Sequence, residues 1–187
     1  MIWVIIAIVV LIVVVAIWAI SVRNGMVGER NRVDEAWSGI DVQLKRRHDL
    51  VPNLVETVKG YATHEQKVFR ETAEARSNAM KAASVQDTSQ AEGQLSGALA
   101  ELRAVAENYP ELRATENFQQ LQRDLSEIED EIQAARRIYN SNVQSYNTRI
   151  QIFPNSVIAN MGGFTDREFF EIETPAEREP VQVSFDS

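Results

Sequence analysis

The densest run of chemically capable side chains is Lys45-Arg46-Arg47-His48-Asp49. Clustered cations beside a histidine could hold a phosphate or a lipid headgroup. On a helix, however, successive residues step round by about 100°, so these neighbours spread over the whole circumference and cannot converge on one ligand. Asp41 and Lys45 form an ordinary i,i+4 pair. Arg47 is different, because it falls in the register of an apolar stripe. That position predicts an ion pair with an acid on another helix. His48 and His64 are the only histidines and stand sixteen residues apart. This is not a compact ligand spacing, and His64-Glu65 lacks the second histidine of a zinc-protease helix. Glu127, Glu129, Asp130 and Glu131 disperse around their helix as a solvated face, with no Glu-x-x-His element for a di-iron site. No nucleophile elbow or glycine-rich phosphate loop is present, and Gly25-x-x-Gly28 and Gly162-Gly163 read as turns or hinges. The chain has no cysteine, hence no disulfide and no thiol nucleophile. The expectation is a protein without cofactor, metal or enzymatic activity.

One polar pattern is more specific. Tyr139-Asn140 and Tyr146-Asn147 repeat at an interval of seven residues, which puts equivalent polar atoms twice on one helix face. Inside a bundle they would specify register through buried hydrogen bonds.

The elements that must carry these residues begin with Ile2 to Ile20, nineteen uncharged and almost wholly apolar residues centred near Leu11. As a helix they span roughly 28 Å, close to the hydrocarbon thickness of a bilayer. Trp3 and Trp18 stand near the two ends, where interfacial aromatics belong. A signal peptide would want a basic leader, a shorter core and a better cleavage site than Ala16-Ile17-Trp18-Ala19. A retained anchor over 1–22 is therefore expected, with the lipid bilayer as first partner. Arg23, Arg30 and Arg32 follow it, so the positive-inside rule places the remaining domain in the cytoplasm of a single-pass, inner-membrane protein. Net charge is −8, and from Thr165 onward seven acids face two arginines. Such a chain repels nucleic acid.

Beyond the anchor about 165 residues remain, enough for one domain with a core. Val33, Trp37, Ile40, Leu44, Val51, Leu54, Val58, Tyr61 and Val68 follow alternating spacings of three and four, one stripe on a helix. The stripe predicts a helix over about 27–81. Pro52 interrupts its hydrogen bonding, so either Asp49 caps a new helix or one helix bends; the unbroken register favours the bend. A loop follows at Ala83 to Gln90. Ser89-Gln90-Ala91-Glu92 then fits a capping box opening a helix over 91–108. Tyr109-Pro110 starts another over 110–152, whose apolar positions from Phe118 to Phe153 imply coiled-coil-like packing. A short helix at 155–161 completes the domain, and 165–187 reads as an acidic extended or disordered tail. The fold class expected is all-α: a transmembrane helix, then an elongated antiparallel helical bundle over 23–164. So long a stripe is expected to exceed what the shorter helices can cover.

Three blocks resemble the LemA family of bacterial membrane proteins. The longest runs from Glu29 to Glu65 and includes Arg47, Asp49, Pro52 and Asn53 within Ile40 to Tyr61. The second comprises Tyr109-Pro110-Glu111-Leu112, Glu116-Asn117-Phe118, Arg137-Ile138-Tyr139-Asn140 and Tyr146-Asn147. The third is Phe153-Pro154-Asn155 through Ala159 to Gly163-Phe164. The resemblance implies an N-terminal transmembrane helix with an antiparallel bundle, and a role in the cell envelope or, in magnetic bacteria, in building an intracellular membrane organelle. Some members carry a lipoprotein-type cysteine near the anchor, which this chain lacks.

Taken together, these features point to a membrane-anchored scaffold that forms homo-oligomers through its helical domain. The alternative is a monomeric adaptor that recruits another membrane protein. The span has no small-xxx-small pair, so assembly is expected from the bundle.

Overall fold

The computed structural model describes residues 1–171, and all of their regular structure is helical. Six helices follow in order: α1 (Ile2–Lys59), α2 (Gln66–Ala79), α3 (Val85–Glu107), α4 (Pro110–Arg113), α5 (Glu116–Gln151) and α6 (Asn155–Met161). Of the acidic tail expected over 165–187, residues 165–171 are described and are non-helical, with Thr165 and Arg167 hydrogen-bonded to α5; the rest lies outside the described residues. The chain divides into two compact units. One comprises residues 1–40 with 137–169; the other comprises 41–136 with the described residues from Phe170.

In the first unit, α1 opens with the apolar run. An eighteen-residue window there has mean hydropathy 3.3 and is nowhere buried against the rest of the chain, so α1 is long and apolar enough to cross a membrane. From Val22 the helix acquires a packed face, with Val22, Met26, Val33 and Ile40 buried. The last part of α5 runs antiparallel to it. Tyr139 stacks at a tilt on Trp37 with ring centroids 5.4 Å apart, Asn142 donates to the Arg32 carbonyl at 3.2 Å, and Arg149 pairs with Glu29 at 2.6 Å. Gly25 and Gly28 lie within α1 rather than at a turn or hinge. Gly25 serves close approach instead, since a Cβ there would run into the Arg149 guanidinium. Gly163 does make a turn, at φ +68°, after α6.

In the second unit, residues 41–59 of α1, α2, α3, α4 and the start of α5 enclose one apolar core. Val51, Leu54, Val58, Phe69, Leu95, Leu99, Leu102, Leu112, Phe118 and Leu125 are buried in it. Consecutive long helices alternate in direction. Lys59 lies over the Phe69 ring while Arg76 reaches His48, so α2 folds back on α1. Arg103 of α3 meets Gln122 of α5 at 3.1 Å.

Several boundaries differ from the periodicity. The helix expected over 27–81 is two helices, because the chain reverses at 60–65. Ala62 is buried and Tyr61 exposed, so the apparent stripe continues through a turn that spacing alone cannot reveal. Pro52 neither ends α1 nor starts a new helix. α3 begins at Val85, six residues early, with Ser84 accepting from the Asp87 amide at 3.0 Å; Ser89-x-x-Glu92 is therefore no capping box. The helix expected over 110–152 is α4 and α5, separated where the Thr115 hydroxyl accepts from the Phe118 amide at 3.3 Å. The stripe is also covered within the chain: Val33, Ile40, Leu44, Arg47, Val51, Leu54 and Val58 are all buried.

Candidate functional site

The one buried charge cluster among the described residues is built on Glu92 of α3, which is fully enclosed. Its position follows from register, since Glu92 precedes Leu95, Leu99 and Leu102 at spacings of three and four and therefore points into the core. Arg47 occupies the corresponding place in the α1 stripe. Its Nη2 donates to Glu92 Oε2 and lies 3.4 Å from the Glu92 carbonyl oxygen, while Nη1 donates to Ser96 Oγ at 3.1 Å. The neighbouring His48 donates from Nε2 to Glu92 Oε1 at 2.6 Å. Both carboxylate oxygens are thus satisfied, one by a guanidinium and one by an imidazole. A fifth contact completes the cluster: Arg76 Nε donates to the His48 carbonyl at 2.6 Å. Pro52 sits four residues beyond His48 and has no amide to offer that carbonyl, so the α2 arginine supplies the missing donor.

Burial alone would raise the Glu92 carboxyl. The His48 hydrogen bond and the charge and hydrogen bonds of Arg47 outweigh it and hold the group below its ordinary value of 4.5. The ion pair is therefore charged at neutral pH. Its chemistry is nevertheless confined. Arg47 is 2 % exposed and His48 8 %, so the described residues enclose Glu92. The open depressions lined by Asn78, Lys81, Asp87 and Gln90, and by Glu116, Asn117 and Arg123, do not reach these side chains. Among the described residues no group of three or more His, Cys, Asp or Glu could hold a metal ion. Arg47 Nε has no partner, but the enclosed ion pair fixes how α1 meets α3.

In the first unit, the Tyr-Asn repeat holds a non-helical strap rather than another helix. Tyr139 Oη donates to the Glu168 carbonyl at 2.9 Å, and Tyr146 Oη donates to the Thr165 carbonyl at 3.1 Å. Asn147 both donates to the Arg167 carbonyl at 2.9 Å and accepts from the Arg167 amide at 2.8 Å. The strap is further tied by Arg167 to Asp34 at 2.8 Å and by Gln151 to Asp166 at 2.9 Å. Burial raises both tyrosine hydroxyls above their ordinary value of 10.0, which keeps them protonated as donors. Asn140 is half-buried on the same helix.

The remaining positions singled out in the sequence are dispersed. Asp49, Pro52 and Asn53 are exposed on α1, and the Asn53 carbonyl accepts from Thr57 Oγ1 at 2.7 Å. Tyr109 packs against the core at the start of α4, where Pro110 takes the first helical position. Ile2, Trp3, Leu11, Trp18 and Ile20 are exposed on the apolar part of α1. Sequence reasoning missed Glu92, Ser96 and Arg76. A signal existed for Glu92, an acid in an apolar register opposite a cation in another.

The chain has relatives among known proteins. The chain is similar to magnetosome protein MamQ 2 of Paramagnetospirillum magneticum, 28 % identical over 170 residues that cover 77 % of this chain and 62 % of the relative. Similarity to magnetosome protein MamQ of Magnetospirillum gryphiswaldense is 25 % over 170 residues, with the same coverage. Protein LemA of Metamycoplasma hominis is 28 % identical over 139 residues, 73 % of this chain and 63 % of the relative. The chain thus spans about three fifths of the length of these relatives. Residues 36–185, which take in the buried charge cluster and the Tyr-Asn helix, match the model of the LemA family, and the chain belongs to that family.

Proposed function

We propose that the chain is a non-enzymatic, membrane-anchored scaffold whose helical domain associates with further copies, in the cell envelope or another membrane system. The observation that carries this reading is α1, which passes without a break from an unburied apolar run into a packed helix. A protein whose membrane segment and bundle share one helix is suited to hold position and spacing. The enclosed Glu92 cluster supports a structural role, since its charges are spent on helix pairing. Two relatives bear the name magnetosome protein, which suits work on a membrane compartment. With the α1 stripe covered within the chain, association falls to outer faces, where Val42 and Met80 of one unit and Ile138 of the other are exposed. Such scattered residues do not define an interface by themselves. The domain lies on the cytoplasmic side of the inner membrane by the charge of Arg23, Arg30 and Arg32.

The test is the particle mass of the full chain extracted in mild detergent. A defined multiple of 21.1 kDa is expected. A single chain per particle overturns self-association and leaves a monomeric adaptor, to be pursued by cross-linking to other membrane proteins.

A further inference from the structure

We propose that the turn between α5 and α6 is a second membrane contact, an apolar foot resting in the interfacial layer of the bilayer that α1 crosses. The inference rests on the reading of α1 as a membrane span and goes beyond it.

Three observations within the first unit carry it. The pairing of α5 with α1 fixes heights: Tyr139 lies against Trp37, Asn142 against Arg32, and Arg149 against Glu29 and Gly25. Each step forward on α5 is a step back on α1. Continuing that register one turn past Arg149 brings Phe153 level with Ser21 and Val22, just beyond the apolar run that ends at Ile20. The chain therefore reverses direction where the span leaves the hydrocarbon.

At that level the surface of the turn is apolar, with the exposed Arg23 of α1 beside it. Phe153 and Met161 are each 82 % exposed, and Ile152 and Val157 about half exposed. Val157 and Met161 stand four residues apart on α6 and share a face. Side chains of this size facing water in one short segment are costly, and they mark a contact.

Charge is also missing there. Between Arg149 and Asp166 the chain has no Asp, Glu, Lys or Arg, although a quarter of its residues are charged. The polar groups present, among them Asn155 and Asn160, are neutral. A surface facing water or a charged protein partner would carry ions; an interfacial segment buries its apolar face about 5–10 Å deep and keeps neutral or cationic groups at the rim. The Arg149–Glu29 ion pair closes the foot on its upper side.

The absence of cysteine allows a direct test with single-cysteine variants of the full chain. Phe153→Cys, Met161→Cys, Leu11→Cys within the span and Val42→Cys on the other unit would each carry an environment-sensitive fluorophore in phosphatidylcholine vesicles. Quenching by nitroxide-bearing lipids and by aqueous iodide would be compared. Probes at 153 and 161 are expected to be quenched by shallow lipid nitroxides, with iodide quenching about fivefold weaker than at 42. Iodide quenching at 153 and 161 equal to that at 42, with Leu11 quenched by lipid, overturns the foot and leaves the span intact. Protection of 153 and 161 from both quenchers shows a second copy covering the patch and also overturns it. If Leu11 is not quenched by lipid, the span reading and the foot fall together.

Discussion

Arg76 Nε stands 2.6 Å from the carbonyl oxygen of His48, the acceptor that Pro52 leaves without an amide one turn later. A defect in one helix is thereby mended by a side chain from the next, and α2 is held antiparallel to α1 at that level. Losing this bond leaves a buried acceptor unmet, at about 1–3 kcal/mol. Arg76→Ala should therefore lower unfolding stability by that order. Pro52→Ala restores the helical donor and should make Arg76 largely dispensable. Chemical unfolding of the two single variants and the double would read this coupling, and strict additivity would refute it.

Glu92 and Arg47 should behave as a unit. Removing one member of an enclosed ion pair strands the other and costs about 3–5 kcal/mol. Glu92→Leu or Arg47→Met alone should be strongly destabilising, whereas the double variant should recover much of the loss. Thermal unfolding in detergent provides the measurement.

The same carboxyl predicts a pH dependence. Its folded pKa lies below the ordinary 4.5, so the unfolded chain takes up the proton first as pH falls. Stability from Glu92 is complete above about 4.5 and is lost as pH drops through the folded value. Denaturant titrations between neutral and acidic pH should show this slope in the parent and a shallower one in Glu92→Gln.

Asn147 grips both backbone groups of Arg167, so Asn147→Leu should free the strap with little effect on helix content. Hydrogen exchange over residues 164–171 should accelerate, led by the Arg167 amide. Tyr146→Phe removes only the bond to Thr165 and should have the smaller effect.

These relationships separate what was legible in the chain from what was not. Arg47 betrayed itself by sitting in an apolar register, and the pairing with an acid on another helix is what that position requires. Glu92 carried the same signal but also matched a local capping pattern with Ser89, and the local pattern misled; Ser84 caps the helix instead. The reversal at 60–65 escaped notice because apolar spacing persists on both sides of it. The Tyr-Asn interval showed that polar atoms repeat on one face of α5. It could not show that their partners are backbone groups of a strap some twenty to thirty residues further on, since hydrogen-bond partners are a property of the folded chain. Arg76 had no signature at all, because its role exists only once α2 has folded back onto His48.

With α1 as the proposed membrane span, its continuity has a consequence for anything that would meet it within the bilayer. Residues Ile2 to Ile20 share one helix with Val22 and Met26, which are packed in place, so the span has no swivel. Its azimuth is dictated from outside the lipid, and the same flank of Trp3, Leu11 and Trp18 always looks the same way relative to α5. A lipid tether would let the domain spin freely. A chain anchored as proposed is instead keyed to its membrane, and inserting a single residue near Ser21 would turn the apolar run by about 100° without altering its composition.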